Sequence, residues 1–191
     1  MLINASTKYN SIFWMNLGPS LQGALLCRRD AVADGTRLLS AGYDTFRKIG
    51  LLLHFSGYLA DLVGGLAAIG RLADGLIILD EALDQARRDG LMWHVPELLR
   101  VKGELLLQDA GGPSDAAIDG CFQEALAIAK SQDALFWELR AATSFARLRR
   151  DQGRPADATA LLQPVYDRFT EGFETADLRS ARALLGTLRS T

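Results

Sequence analysis

The chain has 191 residues, 49% hydrophobic and 23% charged, so it can fold around a sizeable core of its own. Its net charge of −2 at neutral pH excludes the strongly basic surface typical of nucleic-acid-binding proteins. Cys27 and Cys121 lie far apart, and we expect two reduced core residues rather than a disulfide. With no basic-then-apolar signal region at the N-terminus, we expect a cytoplasmic protein.

The predicted elements are all helices. Apolar residues recur at helical spacing throughout, and no segment alternates as a strand does. In chain order we predict four helix pairs and a final single helix, with residues 1–10 poorly ordered. The predicted spans are 8–28 with 31–48, 52–69 with 71–88, 93–109 with 114–130, 133–151 with 155–170, and 176–189 alone.

A short repeat underlies these pairs: a small residue, an apolar residue four positions later, and a small or apolar residue three after that. The copies begin at Gly35, Gly75, Ile118 and Ala158, at steps of 40, 43 and 40 positions. A fixed period of this size predicts two-helix units stacked into a right-handed α-solenoid, a single domain over 1–191. The three extra residues, in 109–114, indicate either a longer surface loop or a functional loop.

Glycine and proline mark the ends and weak points of the predicted helices. Gly50 and Gly90 suit helix C-termini, and Thr175 suits the N-cap of the last helix. Pro19 lies inside the first helix, which we expect to be kinked or split. Pro164 should bend the eighth helix.

The most apolar stretch of the sequence is 50–69. It is interrupted by His54, Ser56 and Asp61, whereas a membrane-spanning helix needs about 20 mostly uncharged residues. We therefore expect a buried helix of the array and no membrane partner.

The segment from Leu72 to Leu185 resembles the C-terminal tetratricopeptide-like (TPR-like) region of large bacterial regulators. These regulators combine a nucleotide cyclase or winged-helix domain, a STAND-type ATPase and a helical repeat array. The resemblance covers roughly the C-terminal 60% of the chain. It is carried by LDEALDQA (79–86), ELLRVKGELLL (97–107), CFQEALAIAKSQ (121–132), WELRAATSFARLRRDQGR (137–154) and LLQPVYDRFTEGFETADL (161–178).

The resemblance implies a sensor or protein-interaction array that controls an attached effector in signal transduction or transcriptional regulation. The cyclase and ATPase motifs of the family lie outside this region, so no catalytic or cofactor role passes to any residue here. The N-terminal part departs from the family pattern. The sequence leaves open whether the chain stands alone or is a fragment of such a regulator.

Catalysis is not predicted. His54 and His94 lack neighbours at metal-ligand spacing, so we expect no metal or cofactor. We interpret His54 as a core or groove residue and His94 as solvent-facing. Two pairs of acidic residues are interpreted as parts of solvated helix faces: Asp80 with Glu81, and Glu97 with Glu104.

A binding function fits the sequence better than catalysis does, because the first helix of each pair lines the concave face of such an array. Aromatic and arginine side chains are common at interface hot spots, although the aromatics also suit packing between repeats and the arginines suit solubility. The predicted partner is a protein or peptide; the alternative is a small-molecule effector in the same groove. The candidate contact residues are Trp93, Arg100, Glu104, Trp137, Arg140 and Arg147. The arginine run at positions 147, 149, 150 and 154, which includes the last of these candidates, is interpreted as a solvated helix end.

The two ends of the predicted array differ. Residues 178–188 indicate a C-terminal cap, apolar on one face and basic on the other. At the other end Ile12, Phe13 and Met15 leave an apolar edge. We expect this edge either to pair with a second chain as a homodimer or to have been covered by upstream sequence.

Overall fold

A computed structural model describes residues 12–50, 52–109 and 115–189. It contains nine α-helices and no strand within those residues. The first four are α1 (Ile12–Cys27), α2 (Val32–Lys48), α3 (Ser56–Ala68) and α4 (Leu72–Asp89). The next five are α5 (Val95–Leu106), α6 (Asp115–Ser131), α7 (Leu135–Asp151), α8 (Pro155–Tyr166) and α9 (Ala176–Leu188). Short 3₁₀ helices precede α3 (Leu52–Phe55) and α5 (Met92–His94). The predicted helices are thus confirmed; predicted disorder over 1–10 lies outside the described residues.

The helices pack in neighbouring pairs, α1 with α2, α3 with α4, α5 with α6 and α7 with α8. The chain divides into two compact units, unit 1 (residues 1–90) and unit 2 (residues 91–191). In unit 1, α3 also contacts both helices of the first pair. In unit 2, α7 contacts both helices of the pair before it, and α9 packs on α7 and α8.

All four copies of the sequence repeat lie on the second helix of a pair, and their residues are buried. The small residue allows close approach of the first helix. A Cβ at Gly35 would lie 2.6 Å from the Gly23 carbonyl oxygen of α1 and 2.5 Å from Cys27 Sγ. Both distances are shorter than real Cβ contacts, so the α1–α2 crossing requires glycine at this position.

Each unit has its own apolar core. In unit 1, Phe55 is fully buried, and its ring centroid lies 5.9 Å from those of Tyr43 and Phe46. In unit 2, one buried cluster joins α7, α8 and α9 through residues such as Leu139, Leu162 and Leu185. A second joins α6 and α7 through the stacked rings of Phe122 and Phe145.

The predicted helix ends are mostly correct. Gly50 and Gly90 have φ values of 70° and 69° at the ends of α2 and α4, where glycine is favoured. Thr175 is the N-cap residue of α9, but its side chain makes no capping hydrogen bond. Pro19 does not split the first helix, since α1 continues through it. Pro164 likewise lies inside α8.

Within the apolar stretch, residues 52–68 form the 3₁₀ turn before α3 and α3 itself, with Leu59, Leu62 and Leu66 buried as predicted. Within the described ranges no helix is long and apolar enough to cross a membrane. Cys27 and Cys121 are not joined in a disulfide, and both are half-buried rather than core residues.

Candidate functional site

The candidate site lies on α5, α7 and α9 of unit 2, which are neighbours in space. Glu97 of α5 accepts hydrogen bonds from Arg140 of α7. Glu104, two turns after Glu97, accepts a hydrogen bond from Ser144, which is one turn after Arg140. The contacts advance in the same direction on both helices, so α5 and α7 run parallel. Helical spacing places Glu97, Arg100 and Glu104 on one face of α5.

A shared carboxylate joins the two helices. Glu97 accepts two hydrogen bonds from Arg100, at 2.8 Å each, and two from Arg140, at 3.0 and 2.7 Å. Arg140 then reaches α9, donating to Asp177 at 2.8 Å. Bidentate arginine–carboxylate pairs are among the stronger and more directional polar contacts in proteins. Three helices are therefore fixed through one chain of ion pairs.

Arg100 belongs to this network rather than to the open surface, because only 8% of it is exposed. Its Nη1 donates to Ser144 Oγ at 3.2 Å and pairs with Glu104. Ser144 Oγ in turn donates to Glu104 at 2.7 Å. Each charge in this part of the network therefore has an opposite charge or a hydroxyl beside it.

The pKa shifts of Glu97 and Arg100 favour their charged forms. Burial raises the pKa of Glu97, but hydrogen bonds and charge from Arg100 and Arg140 outweigh it, so the pKa lies below its ordinary value. For Arg100, burial lowers the pKa, while Glu97 and Glu104 raise it more. A buried group that stays charged depends on its partners, so loss of one partner exposes the full cost of burying the other.

Aromatic side chains lie at the amino-terminal end of the same helices. Trp93, one turn before Glu97, is 51% exposed, and Phe136, one turn before Arg140, is 47% exposed. The parallel register therefore places both at the same end of the α5–α7 pair. Gln132 Nε2 donates to the Met92 carbonyl at 2.8 Å, which ties the segments ahead of the two helices together.

The half-buried Trp137 packs edge-on against Phe136, with ring centroids 5.4 Å apart. Arg140 lies over the Phe136 ring at 5.8 Å from its centroid. The arginine that grips Glu97 therefore also supports the exposed ring. We call the whole surface the polar face of unit 2: Trp93, Glu97, Arg100, Glu104, Phe136, Trp137, Arg140, Ser144, Arg147, Asp177 and Ser180.

A small cavity of about 120 Å³ opens in the polar face. Arg147 borders it and donates to Ser180 Oγ at 2.6 Å. Its remaining lining is Arg100, Arg140, Thr143, Ser144, Asp177 and Ser180. Ligand pockets typically measure about 300–1,000 Å³, so this cavity suits a few waters or one polar side chain of a partner.

All six predicted contact residues lie on the polar face. Trp93 and Arg147 are exposed, Trp137 is half-buried, and the Arg140 and Glu104 side chains are 27% and 35% exposed. Arg100 is buried, and its charge is used within unit 2. The sequence reasoning did not select Glu97, Ser144 or Asp177 as site residues. Glu97 precedes Arg100 by three residues, a spacing at which opposite charges on a helix can pair, and this spacing could have identified Glu97 from the sequence.

Several interpretations of single residues were wrong. Glu97 is not solvated, because its side chain is only 12% exposed. Arg149 is not part of a solvated helix end: it is 8% exposed, pairs with Asp119, and lies 4.5 Å from the Phe145 ring centroid. The Glu81 side chain is 33% exposed, accepts a hydrogen bond from Tyr43 and forms an ion pair with Arg47, so that interpretation is not overturned.

The two histidines have different outcomes. His94 is buried, at 6% exposed, rather than solvent-facing, because it lies in the 3₁₀ turn beneath Trp93, with ring centroids 4.7 Å apart. The interpretation of the His54 side chain lies outside what the structure describes. Across the described residues, no group of three or more acidic, histidine or cysteine side chains is arranged to hold a metal ion.

Comparison with known proteins gives no assignment: no family model, no curated protein and no solved structure matches this chain.

Proposed function

We propose that this chain is a non-catalytic protein-interaction module that binds a protein or peptide across the polar face of unit 2. In this proposal the helix pairs are repeats of a right-handed, TPR-like solenoid, and α9 is its cap. The resemblance to bacterial STAND-type regulators supports a cytoplasmic sensor or regulatory role, in which partner binding is passed to an effector domain.

The observation that carries the proposal is the pair of exposed aromatics, Trp93 and Phe136, held at one end of two parallel helices. Exposed tryptophan and phenylalanine side chains supply large contact area with little loss of side-chain freedom, and aromatics dominate interface hot spots. The ion pairs beneath them fix the spacing of α5 and α7. The surface is therefore ordered before a partner arrives, which lowers the entropic cost of binding.

The test is partner capture with matched variants of the full chain. We expect the double variant Trp93→Ser/Phe136→Ser to weaken binding of the captured protein by at least about tenfold, since hot-spot residues contribute more than about 1 kcal/mol each. Binding is measured by titration once the captured protein has been identified by mass spectrometry. Unchanged affinity of the double variant would refute the role of the polar face.

The control variant is Ile69→Ser, just after α3. Ile69 is 41% exposed, lies in unit 1 and does not line the cleft described below, so the substitution removes an exposed apolar group away from both candidate sites. Its binding should match that of the unaltered chain. Circular dichroism of all variants checks that the helices remain folded.

A small-molecule effector site is the alternative, and one cleft in unit 1 favours it. The cleft measures about 440 Å³, within the range of ligand pockets, and lies between α2 and α4 above Leu66 of α3. At one end Tyr43 donates to Glu81 at 2.8 Å. Burial, followed by this hydrogen bond, raises the pKa of Tyr43, which therefore remains a neutral donor at physiological pH.

This alternative has its own measurement. A library of small metabolites is screened for a rise in the melting temperature of the full chain. Ser40 is half-buried in the wall of the cleft, so Ser40→Trp should fill the space and abolish any ligand-dependent rise. A rise that survives this substitution would place the ligand elsewhere.

A further inference from the structure

The cleft of about 440 Å³ in unit 1 carries an excess of negative charge. Its two walls come from α2 and α4. We call this space the unit 1 cleft. The charged side chains that line it are two arginines and three acids, whose formal charges sum to −1: Arg47, Arg71, Asp44, Asp74 and Glu81.

Both arginines of the unit 1 cleft are already engaged by its acids. Arg47 of α2 lies 2.5 Å from Glu81 of α4, and Arg71 lies 2.7 Å from Asp74, three residues later. Asp44 is exposed, and its carboxylate forms no ion pair or hydrogen bond with the part of the chain that the structure describes. An anionic ligand would have to compete with an existing ion pair, whereas a cation meets a carboxylate without a partner.

The unpaired carboxylate lies at the end of the cleft where Tyr43 contacts Glu81. Tyr43 is 4% exposed and donates a hydrogen bond to Glu81 at 2.8 Å. Burial is the main cause that raises the pKa of Tyr43; the charges of Glu81 and Asp44 raise it further, while the charge of Arg47 lowers it. The Asp44 charge therefore acts at the same end of the cleft as Glu81.

Between its charged ends the unit 1 cleft is apolar. Ile77, 65% exposed, and the half-buried Ile78 lie one turn after Asp74 and one turn before Glu81. The helical rise places Asp74 and Glu81 about 10 Å apart along α4. A ligand that fills this space therefore covers apolar surface along its length and meets a carboxylate at one end.

We propose that the unit 1 cleft binds a small organic cation, an amine or a guanidine with an apolar body. Its charged group pairs with Asp44, and its body covers Ile77 and Ile78. A cation is favoured over a neutral ligand, because a carboxylate that loses water on binding needs an opposite charge in its place. This inference rests on the alternative function given above, a small-molecule site in this cleft, and adds the charge of the ligand. It does not depend on the polar face of unit 2.

The test compares probes of similar shape and different charge. Phenethylamine is a cation, phenethyl alcohol is neutral, and hydrocinnamate is an anion. Each is titrated into the full chain by calorimetry at concentrations up to millimolar, the range of weak binding. We expect the amine to bind at least about threefold more tightly than either analogue, as one partly exposed ion pair allows. Methylamine, which has the charge without the apolar body, should bind more weakly than phenethylamine.

Substitutions at position 44 test the charge directly. Asp44→Asn should weaken binding of phenethylamine by about threefold or more. Asp44→Lys should reverse the preference, so that hydrocinnamate binds more tightly than the amine. The matched control is Asp84→Asn on α4, where the side chain is 63% exposed and lies outside the cleft lining. It removes the same charge and should leave binding of the amine unchanged.

Failure of the cation site can be told apart from failure of the cleft as a ligand site. If the alcohol or hydrocinnamate binds as tightly as the amine, and Ser40→Trp abolishes that binding, the cleft binds ligands but does not select cations. If amine binding survives Ser40→Trp, or if no probe binds, the cation site is overturned. Equal losses in Asp44→Asn and Asp84→Asn would show a general effect of net charge and would overturn the role of Asp44.

Discussion

At the scale of single residues, Glu97 is the carboxylate that links two helices of unit 2. Two arginines from different helices donate to it, and one of them, Arg100, is nearly buried. The arrangement is stable only while every member is present, since a buried charge without its partner costs far more than the intact pair contributes.

Neutralising this carboxylate should destabilise the protein. We expect Glu97→Gln to lower the free energy of unfolding by about 3–5 kcal/mol, the usual cost of breaking a buried pair. Chemical denaturation followed by circular dichroism measures the loss. Glu171→Gln, at an exposed acid between α8 and α9, is the control and should change stability by less than about 0.5 kcal/mol. Equal effects would show that the network contributes nothing.

The buried His94 predicts a dependence on pH. Burial lowers its pKa in the folded state, so the folded protein resists protonation while the unfolded chain accepts a proton near pH 6.5. The unfolded state therefore binds more protons below that pH, and stability falls as the pH drops from about 6.5 towards the folded pKa.

This dependence is measured by denaturation at pH values between about 7.5 and 5. His94→Gln cannot titrate, so its stability should fall less over this interval, whatever its absolute stability. The quantity compared is the slope of the unfolding free energy against pH, not its absolute value. Identical slopes for the two proteins would contradict a neutral, buried His94.

At the scale of helices, the α1–α2 crossing depends on one glycine. A Cβ at Gly35 would meet the backbone of α1, at Gly23 O and at Cys27 N, 2.6 and 2.7 Å away. Backbone atoms cannot turn aside as a side chain can. Overpacking of this kind costs about 1–3 kcal/mol, which exceeds the gain of about 1 kcal/mol that alanine brings to a helix interior.

We therefore expect Gly35→Ala to lower the melting temperature of the protein. The matched control is Gly64→Ala in α3, where a Cβ would meet nothing within 4 Å. At position 64 only the higher helix propensity of alanine acts, so the melting temperature should rise. The two substitutions are chemically identical, so a fall for both would show that the close approach is not the cause.

The helices could be predicted from the sequence because the buried face of a helix repeats every three to four residues, a spacing that is visible within a short segment. The repeat positions, such as Leu39, Leu79 and Leu162, are fully buried because they are apolar and correctly spaced. The sequence predicted polar partners poorly. The contact between Glu97 and Arg140 joins residues 43 positions apart, and no local pattern states which acid an arginine will meet.

The same limit explains the errors at His94 and Arg149. Both are polar and were expected to be exposed, but His94 is buried in the 3₁₀ turn beside the Trp93 ring, and Arg149 pairs with the distant Asp119 and lies over the Phe145 ring. The general location of the candidate site was predictable, because first helices of repeats lie side by side. Which arginines of the candidate site are exposed and which are buried could not be predicted from the sequence.

At the scale of the molecule, unit 2 has what an independent domain needs. Among its described residues, two buried clusters and the ion-pair network draw on residues 91–191 alone. A fragment of residues 91–191 should therefore fold, with a helical circular dichroism spectrum and a cooperative melting transition. Glu97→Gln should destabilise the fragment by the same amount as the full chain. A fragment without cooperative melting would show that unit 2 needs unit 1.

The ion pairs from Glu97 to Arg140 and on to Asp177 also have a mechanical consequence. They join α5, α7 and α9, so a displacement of α5 is passed to α9 through charged groups. This link weakens as the charged groups separate and as water enters between them, because attraction between charges falls with distance and with a rising dielectric constant. An intruding charge that displaced the Arg140 side chain would interrupt this path.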